Sequence, residues 1–238
     1  MSTTVLISGG NRGLGMGLVQ GYASRSNYTV ISAVRNPDSM PEVKCGEGSK
    51  VVVVKLDAGV NEDAEKGLKQ AETEHGINNI DIVVANAAIG DSFYPLAKVP
   101  LDNFEEHWRI NVLGALALFQ ACVPRMSKGG KFIFMSSGAS PIDRIPDKED
   151  AGYGITKSSC NYLARYAHFE NPELVVFSLS PGWVQTDMGD RAAVRYGLEK
   201  AHITVDESVA GMLKVIDESS REKWSGLHVR YDGTQSKW

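Results

Sequence analysis

Residues 5–19, "VLISGGNRGLGMGLV", decide the fold. An apolar run typical of a buried strand ends at Ser8, and closely spaced glycines follow before the apolar pattern resumes. Glycine accepts a positive φ and allows close backbone approach, so Gly9, Gly13 and Gly15 predict a tight turn between a strand and a helix. Unpaired amides at the start of such a helix, with its dipole, favour an anion such as a pyrophosphate. On these residues alone, a turn without a ligand and another nucleotide-binding class, such as a methyltransferase, remain open.

The alternation of short apolar runs with helical patterns continues along the chain. Predicted strands at 3–8, 28–34, 50–57, 80–85, 131–137, 174–180 and 227–231 alternate with predicted helices at 13–25, 62–75, 102–126, 152–169 and 206–219. Continuous apolar runs suit strands buried on both faces, and the alternation favours a parallel sheet wrapped by crossover connections. The sequence therefore predicts an α/β fold, a Rossmann-type doubly wound three-layer sandwich with a seven-stranded parallel sheet. The irregular stretches are 35–49, 139–152 and 183–204, and the last two should lie at the ligand-binding edge.

Length and composition indicate an ordinary globular protein. The 238 residues fit one domain, 1–238, better than two small ones. With 42% hydrophobic residues, 23% charged residues and a net charge of −4, the chain shows no basic block, so we expect no nucleic acid partner. No apolar stretch approaches the ~20 residues of a spanning helix, so we expect no membrane partner. Three scattered cysteines predict reduced thiols and a cytoplasmic location, and five histidines without ligand spacing predict no metal.

The glycine spacing Gly9-x-x-x-Gly13-x-Gly15 resembles that of the short-chain dehydrogenase/reductase family, and further family motifs follow in order over nearly the whole chain. The matching residues are Asp57 in "LDAG", Asn86 and Ala87 in "VVANAAIG", Asn111 in "INVLG", Ser137 in "FMSSGAS", Tyr153 and Lys157 in "YGITK", and Pro181, Gly182 and Thr186 in "SPGWVQTDM". Four residues depart from the family pattern without removing a catalytic group: Ser8, Ala85, Ala88 and Ser140.

The resemblance implies an oxidoreductase that acts on CH–OH or C=O groups, with Asn111, Ser137, Tyr153 and Lys157 as catalytic residues. By this resemblance, Ser137 hydrogen-bonds the substrate carbonyl and Tyr153 gives or takes the proton. Lys157 holds the cofactor ribose and tunes Tyr153, and Asn111 holds a water that links Lys157 to solvent. Four residues apart on a predicted helix, Tyr153 and Lys157 share one face, and the ammonium favours the phenolate. Taken singly, each residue is better explained by packing or capping, so the interpretation depends on the whole set.

The predicted cofactor site comprises the glycine loop, the strand ends and the loop after the sixth strand: Gly9, Asn11, Arg12, Gly13, Leu14, Gly15, Arg35, Asp57, Ala58, Asn86, Ala87, Tyr153, Lys157, Pro181, Gly182, Val184 and Thr186. The second strand ends in "SAVRNP", with Val34 where an NAD-binding chain carries an acid, and Arg35 follows. Arg12, inside the glycine loop, is a second cation, and Asn11 and Asn36 add hydrogen-bonding groups. Two cations and no acid predict NADP(H), whereas a merely solvated Arg35 would leave the cofactor undecided.

Three features resemble the carbonyl-reductase-like branch that includes enzymes of the fungal norsolorinic acid ketoreductase type. They are the "RNP" strand end, the 16-residue separation of Ser137 and Tyr153, and the C-terminal "GLHVRYDG". The resemblance implies an NADPH-dependent ketoreductase or carbonyl reductase acting on a ketone or aldehyde, with a bulky carbonyl compound of secondary metabolism as substrate. The candidate pocket residues, each also explained by simple packing, are Phe93, Tyr94, Ile142, Ile145, Trp183 and Met188.

Two other functions stay open from the sequence. The first is an NADP-binding isomerase, dehydratase or cyclase of a biosynthetic pathway on the same fold. The second is a cofactor-sensing protein without turnover, against which the four intact catalytic candidates argue. A homodimer or homotetramer is expected, because this family commonly pairs the helices that correspond to 102–126 and 152–169.

Overall fold

A computed structural model describes residues 2–143 and 150–238. Within them, strands β1 to β8 are Thr3–Ser8, Tyr28–Val34, Lys50–Lys55, Ile80–Ala85, Met126–Met135, Val175–Ser180, His228–Arg230 and Gln235–Ser236. They form one sheet in the order β3-β2-β1-β4-β5-β6-β7-β8. The first seven strands are parallel, which confirms the predicted Rossmann-type sheet, and β8 adds an antiparallel edge to β7. The sequence did not predict β8, because two residues are too few to show a hydrophobic period.

Helices cover both faces of the sheet. Helices α1 to α7 are Gly13–Ala23, Asp63–His75, Leu101–Trp108, Gly114–Cys122, Ala151–Glu170, Asp187–Arg195 and Val205–Glu218. On one face, α1 and α7 bury side chains such as Leu18 and Met212, while α2, α4 and α5 pack on the other. Strand β1 contributes to both layers, with Leu6 in one core and Ile7 in the other. Alternating side chains on a doubly covered sheet explain why the strands read as continuous apolar runs.

The helix predicted at 102–126 is interrupted twice. Helices α3 and α4 are joined by a π-helical turn at Arg109–Leu113, and α4 ends at Cys122, before Pro124. Proline carries no amide hydrogen and cannot continue a helix interior, so a 3-10 turn follows and β5 begins at Met126. Strand β5 thus starts five residues earlier than predicted, with a register shift opposite Ile80 and Ile82.

Two of the irregular stretches contain short helices. Stretch 183–204 contains α6, whose first turn is capped by Thr186, which accepts a hydrogen bond from the amide of Gly189 at 3.1 Å. Stretch 35–49 contains a 3-10 turn at Pro37–Ser39, where Asn36 caps the amide of Asp38. None of the described helices has the length and hydropathy needed to cross a lipid bilayer.

Candidate active site

The glycine loop between β1 and α1 is tightly packed against itself and against the end of β4. Gly9 and Gly13 have φ values of +69° and +53°. A Cβ atom at Gly15 would overlap the carbonyl oxygen of Gly9 and lie 2.7 Å from the side-chain nitrogen of Asn86. Any side chain at position 15 would therefore displace the turn, because the obstacle is backbone rather than a flexible side chain.

Ser8, one of the departures from the family pattern, connects the glycine loop to the end of β4. Its hydroxyl oxygen accepts hydrogen bonds from the amides of Asn86 and Ala87, both at 3.0 Å. The Asn86 side chain donates to the carbonyl oxygen of Ser8 at 2.9 Å. Asn86 and Ala87 thus form the wall beside the glycine loop, as the sequence predicts, and serine provides the hydroxyl that this contact needs.

Helix α1 begins with an arrangement suited to an anion. Its N-cap residue Arg12 is extended, makes no side-chain cap, and no acidic residue follows in the first turn. The first amides of the helix therefore have no side-chain acceptor from the cap, and the helix dipole places partial positive charge there. This is the site that the glycine spacing predicts for a pyrophosphate.

A polar cluster lies beside the end of β2, where a 2'-phosphate is predicted. The Asn11 side chain donates to the Ser39 hydroxyl at 2.9 Å, and Ser39 donates to the carbonyl oxygen of Asn36 at 2.6 Å. Arg35 is exposed, lines the same cleft and has no ion-pair partner among residues 2–143 and 150–238. Sequence reasoning missed Ser39, whose only signal is its position in the turn after "RNP".

Arg12 does not lie free beside Arg35. Its guanidinium pairs with the carboxylate of Asp187 at 3.1 Å, across the cleft from the glycine loop to the start of α6. The two side chains are 65% and 74% exposed. Arg12 lines the cleft, but the sequence does not predict this partner, which lies 175 positions away.

The predicted adenine end of the cleft lies at the end of β3. Asp57 accepts a hydrogen bond from the amide of Gly59 at 2.8 Å, which orders the turn after the strand. Ala58 lines the cleft together with Leu56 and Ile110. Sequence reasoning missed Leu56 and Ile110, because an apolar side chain at a strand end or in a helix is typical of the hydrophobic core.

Tyr153 and Lys157 lie together on the cleft side of α5. Lys157 is 2% exposed, and its ammonium donates to the main-chain oxygen of Met135 at 2.9 Å. The same nitrogen lies 5.7 Å from the centre of the Tyr153 ring. The geometry places a buried positive charge beside the phenol, as the four-residue spacing predicts.

Both serines that follow β5 line the cleft, and Ser137 is the less buried of the two. Ser136 is 1% exposed and donates to Asn161 at 2.6 Å within the protein. Ser137 is half-buried, and its hydroxyl oxygen accepts from the amide of Ala139 at 3.1 Å. Ser140, another departure from the family pattern, donates to the carbonyl oxygen of Ser137 at 2.7 Å and so holds this turn.

Asn111 lies in the π-helical turn and is 1% exposed. Its side chain accepts from the amide of Ile89 and donates to the carbonyl oxygen of the same residue, both at 2.9 Å. It also donates to the hydroxyl of Thr156 at 3.1 Å, which donates to the carbonyl oxygen of Tyr153 at 2.7 Å. The Asn111 side chain is thus engaged with the loop after β4 and with α5. Sequence reasoning missed Thr156, for which a single sequence carries no signal.

The loop after β6 completes the site. Gly182 has a φ of +85°, and the carbonyl oxygen of Pro181 accepts from Ser208 at 2.6 Å. Val184 bridges to Ile203, and Thr186 caps α6. All the predicted cofactor residues, including Leu14, line one cleft of about 1380 Å³ with Ser137, Tyr153 and Lys157. This exceeds the roughly 300–1,000 Å³ of most small-ligand pockets and leaves space for a dinucleotide and a second molecule.

Aromatic rings form the other end of the cleft. Trp183 and Tyr196 meet edge to face at 6.1 Å, and Phe93 contacts Tyr196 similarly at 6.4 Å. Met188 and His202 also line it. Tyr94 and Ile142 are 38% and 73% exposed and are not among the lining residues, so these two pocket predictions are not supported. Ile145 lies outside the described residues. Tyr196 and His202 were missed because their stretch showed no regular pattern.

Among residues 2–143 and 150–238, no three or more His, Cys, Asp or Glu side chains are grouped so as to hold a metal ion.

The arrangement of the glycine loop, Ser137, Tyr153 and Lys157 on this sheet has counterparts among known proteins. The family model described as short chain dehydrogenase matches residues 3–196. The chain belongs to the short chain dehydrogenase family. It is therefore an oxidoreductase acting on CH–OH or C=O groups, which confirms the family resemblance in its sequence.

Relatives of this short chain dehydrogenase include two fungal enzymes. The norsolorinic acid ketoreductase of Dothistroma septosporum is 40% identical over 248 residues, which cover 99% of this chain and 92% of that protein. The norsolorinic acid ketoreductase of Aspergillus parasiticus is 35% identical over 247 residues, covering 99% and 91%. The predicted branch of the family is thereby confirmed.

Solved structures show the same fold over the full length. The NADPH-bound carbonyl reductase from chicken fatty liver superposes with a TM-score of 0.84 at 25% identity, covering 100% of both chains. The carbonyl reductase Sniffer of D. melanogaster superposes with a TM-score of 0.85 at 21% identity, again over 100% of both chains. The second likeness supports the fold alone.

Proposed function

We propose that this short chain dehydrogenase is an NADPH-dependent ketoreductase that reduces the carbonyl group of a bulky, aromatic, polyketide-derived ketone or aldehyde. The observation that carries the proposal is the buried ammonium of Lys157 beside the Tyr153 ring, at the junction of a glycine-rich anion site and an aromatic pocket. The names of its relatives, norsolorinic acid ketoreductase and carbonyl reductase, support the same reaction class.

The residues of the cleft fit NADP(H). The glycine loop offers a surface without side chains, and Gly15 has no space for a Cβ. Helix α1 starts without an acid or a side-chain cap, as an anion requires. Arg35, which forms no ion pair with any described residue, and the cluster of Asn11 and Ser39 suit a 2'-phosphate. When bound, NADPH supplies the hydride that reduces the carbonyl carbon.

The side chains have distinct tasks at the carbonyl oxygen. The oxygen of Ser137 accepts from the Ala139 amide, so its own hydrogen remains for the substrate carbonyl. Tyr153 donates the proton that converts the developing alkoxide to an alcohol. Lys157 stabilises the phenolate left on Tyr153, because a buried cation favours the anionic form of a neighbouring phenol. Asn111 positions Tyr153 through Thr156, a task for which its side-chain hydrogen bonds are placed.

The substrate class is inferred from the wall opposite the glycine loop. Phe93, Trp183 and Tyr196 present edge-to-face rings, and Met188 adds a polarisable side chain. Such walls favour flat aromatic molecules, because rings bury a large area and stack in offset geometry. The fungal relatives are named ketoreductases, which agrees with a ketone as the substrate.

The decisive experiment measures loss of NADPH absorbance with a panel of aromatic and aliphatic ketones. The wild-type protein should consume NADPH with bulky aromatic ketones, and Tyr153→Phe should lose turnover while still binding NADPH. Tyr162→Phe is the matched control, since Tyr162 lies on the same helix and is 68% exposed. Unchanged turnover in Tyr153→Phe would exclude the proposed proton donor. Product formation without NADPH consumption would instead indicate an isomerase, dehydratase or cyclase.

The cofactor assignment has its own test. Arg35→Ala should weaken binding of NADPH about tenfold or more and leave NADH nearly unchanged, because only NADPH carries the 2'-phosphate. Fluorescence titration of both dinucleotides measures this difference. Equal binding of NADH and NADPH by the wild-type protein would refute the argument from charge.

We also propose a homodimer or homotetramer in the cytoplasm. Helix α5 exposes Ile155, Tyr162, Tyr166 and Phe169 at spacings that share one face. The cysteines are unpaired, with Cys122 and Cys160 buried, as suits a reducing compartment. Light scattering after size exclusion should give a multiple of 25.8 kDa, and Tyr166→Glu should shift it to the monomer. A wild-type monomer would refute the oligomer.

A further inference from the structure

The ion pair between Arg12 and Asp187 crosses the cofactor cleft. Arg12 is the N-cap of α1, and Asp187 is the first residue of α6. The two segments are close neighbours, because a Cβ at Gly13 would lie 3.4 Å from the Cγ2 methyl of Thr186. Both Arg12 and Asp187 line the cleft, and both are largely exposed. The carboxylate therefore lines the same cleft as the glycine loop and contacts a guanidinium at the start of α1.

A carboxylate in this position opposes the function of the cleft. Three other features of this part of the cleft attract anions: the uncapped start of α1, the Asn11–Ser39 cluster, and Arg35, which has no ion-pair partner in the described part of the chain. Asp187 carries the opposite charge and occupies the Nη1 donor of Arg12 at 3.1 Å. A phosphate group that recruits Arg12 must replace this carboxylate or share the guanidinium with it.

We infer that Asp187 is a specificity-determining residue that competes with the 2'-phosphate of NADP(H) for Arg12. The inference rests on the proposed function, since it presupposes NADP(H) in the cleft. Among residues 2–143 and 150–238 Arg35 has no acid to displace, so it is the primary cation for the 2'-phosphate. Arg12 is a secondary cation whose contribution is reduced by its partner. Asp187 thereby lowers the preference for NADP(H) over NAD(H) without contacting substrate.

The size of the effect follows from the exposure of the pair. Exposed ion pairs contribute little, so removal of the carboxylate should change affinity about two- to fivefold. Salt screens such pairs, so the change should shrink in high salt. Helix α6 should persist without Asp187, because Thr186 still caps it and Asp190 remains in its first turn.

The test measures dissociation constants by calorimetry for NADPH, NADH and adenosine 2',5'-bisphosphate. The variants are Asp187→Asn, Arg12→Ala, the double variant Arg12→Ala/Asp187→Asn, and the control Asp206→Asn. Asp206 is an exposed acid in the first turn of α7, outside the cleft lining, so its change removes the same charge from the first turn of another helix. Measurements at about 20 mM and 500 mM salt separate electrostatic from other effects.

At low salt, Asp187→Asn should lower the dissociation constants of NADPH and adenosine 2',5'-bisphosphate about two- to fivefold relative to that of NADH. The gain should vanish in the Arg12→Ala background, and Asp206→Asn should change nothing. If NADH binding tightened equally, Asp187 would simply repel both dinucleotides, and the proposed competition for Arg12 would be overturned. Weaker binding of both dinucleotides would show that the pair closes over the cofactor, and no change would show a surface pair only. A wild-type protein that fails to bind NADPH would refute the proposed function itself, which is a separate outcome.

Discussion

The ammonium of Lys157 donates a hydrogen bond to the main-chain oxygen of Met135 at 2.9 Å, in a position where Lys157 is only 2% exposed. Met135 is the last residue of β5, and Lys157 lies in the second turn of α5. The strand end therefore fixes where the buried charge lies. One donor of the ammonium is used by the protein, and the side of Lys157 that faces Tyr153 remains for the chemistry.

Replacing Lys157 with Met should reduce ketone-dependent NADPH oxidation about 100-fold or more, because the phenolate of Tyr153 loses its stabilising cation. Methionine occupies a similar buried volume, so the fold should persist. The carbonyl of Met135 loses its partner at a cost of about 1–3 kcal/mol, which removal of a buried charge offsets in part. Steady-state kinetics and thermal unfolding measure the two effects. Activity within threefold of wild type would contradict the assigned role.

Thr156→Val should lower kcat about tenfold with a smaller change in KM. Valine keeps the shape but removes the hydroxyl that connects Asn111 to the carbonyl oxygen of Tyr153. Tyr153 then loses its support while the substrate pocket stays intact. Thr156→Ser, which keeps the hydroxyl, should restore most of kcat. If serine rescued stability but not kcat, Thr156 would have only a structural role.

Gly15→Ala should abolish NADPH binding and destabilise the protein by about 1–3 kcal/mol, because its Cβ would strike the carbonyl oxygen of Gly9. Gly138→Ala is the matched control in the same cleft, since a Cβ there meets nothing within 4 Å. Titration with NADPH and denaturant unfolding compare the two variants. Normal binding by Gly15→Ala would show that the loop is less tightly packed than the distances indicate.

His228 should make the protein less stable in acid. It is 1% exposed, and neither ring nitrogen has a hydrogen-bond partner among the described residues. Burial lowers its pKa to about 4 from 6.5. Because the unfolded chain takes up the proton first, the stability contributed by neutral His228 is complete above pH 6.5 and is lost as the pH falls towards 4. The free energy of unfolding should fall by about 3 kcal/mol, because each unit of pKa difference between the folded and unfolded states contributes roughly 1.4 kcal/mol.

Urea unfolding between pH 4 and 7 measures this loss of stability. His228→Asn should flatten the pH dependence, whereas His75→Asn, at an exposed helix end, should leave it unchanged. Parallel curves for wild type and His228→Asn would show that other groups cause the acid sensitivity.

Much of the fold was predictable because its signals are local. A continuous apolar run such as residues 5–7 predicts a strand that is buried on both faces, and both faces of this strand are buried in the structure. Glycines at 9, 13 and 15 mark the turn, and the Tyr153–Lys157 spacing places both side chains on one helix face. These are relations between residues close in the chain, for which backbone geometry allows few alternatives.

Other features depend on contacts between distant segments, and only the tertiary structure decided them. The π-helical turn at Asn111 is held by Ile89 and Thr156, which belong to two other segments. Strand β8 exists because β7 offers it an edge, and Arg12 is paired because α6 brings Asp187 beside it. The sequence by itself predicted the glycine loop and the Tyr153–Lys157 pair as parts of the cleft, but it gave no signal for lining residues such as Ser39 and Tyr196. Their hydrogen-bond and ion-pair partners were decided by the packing of helices and loops around the sheet, because an interaction energy depends on distances that residue order does not specify.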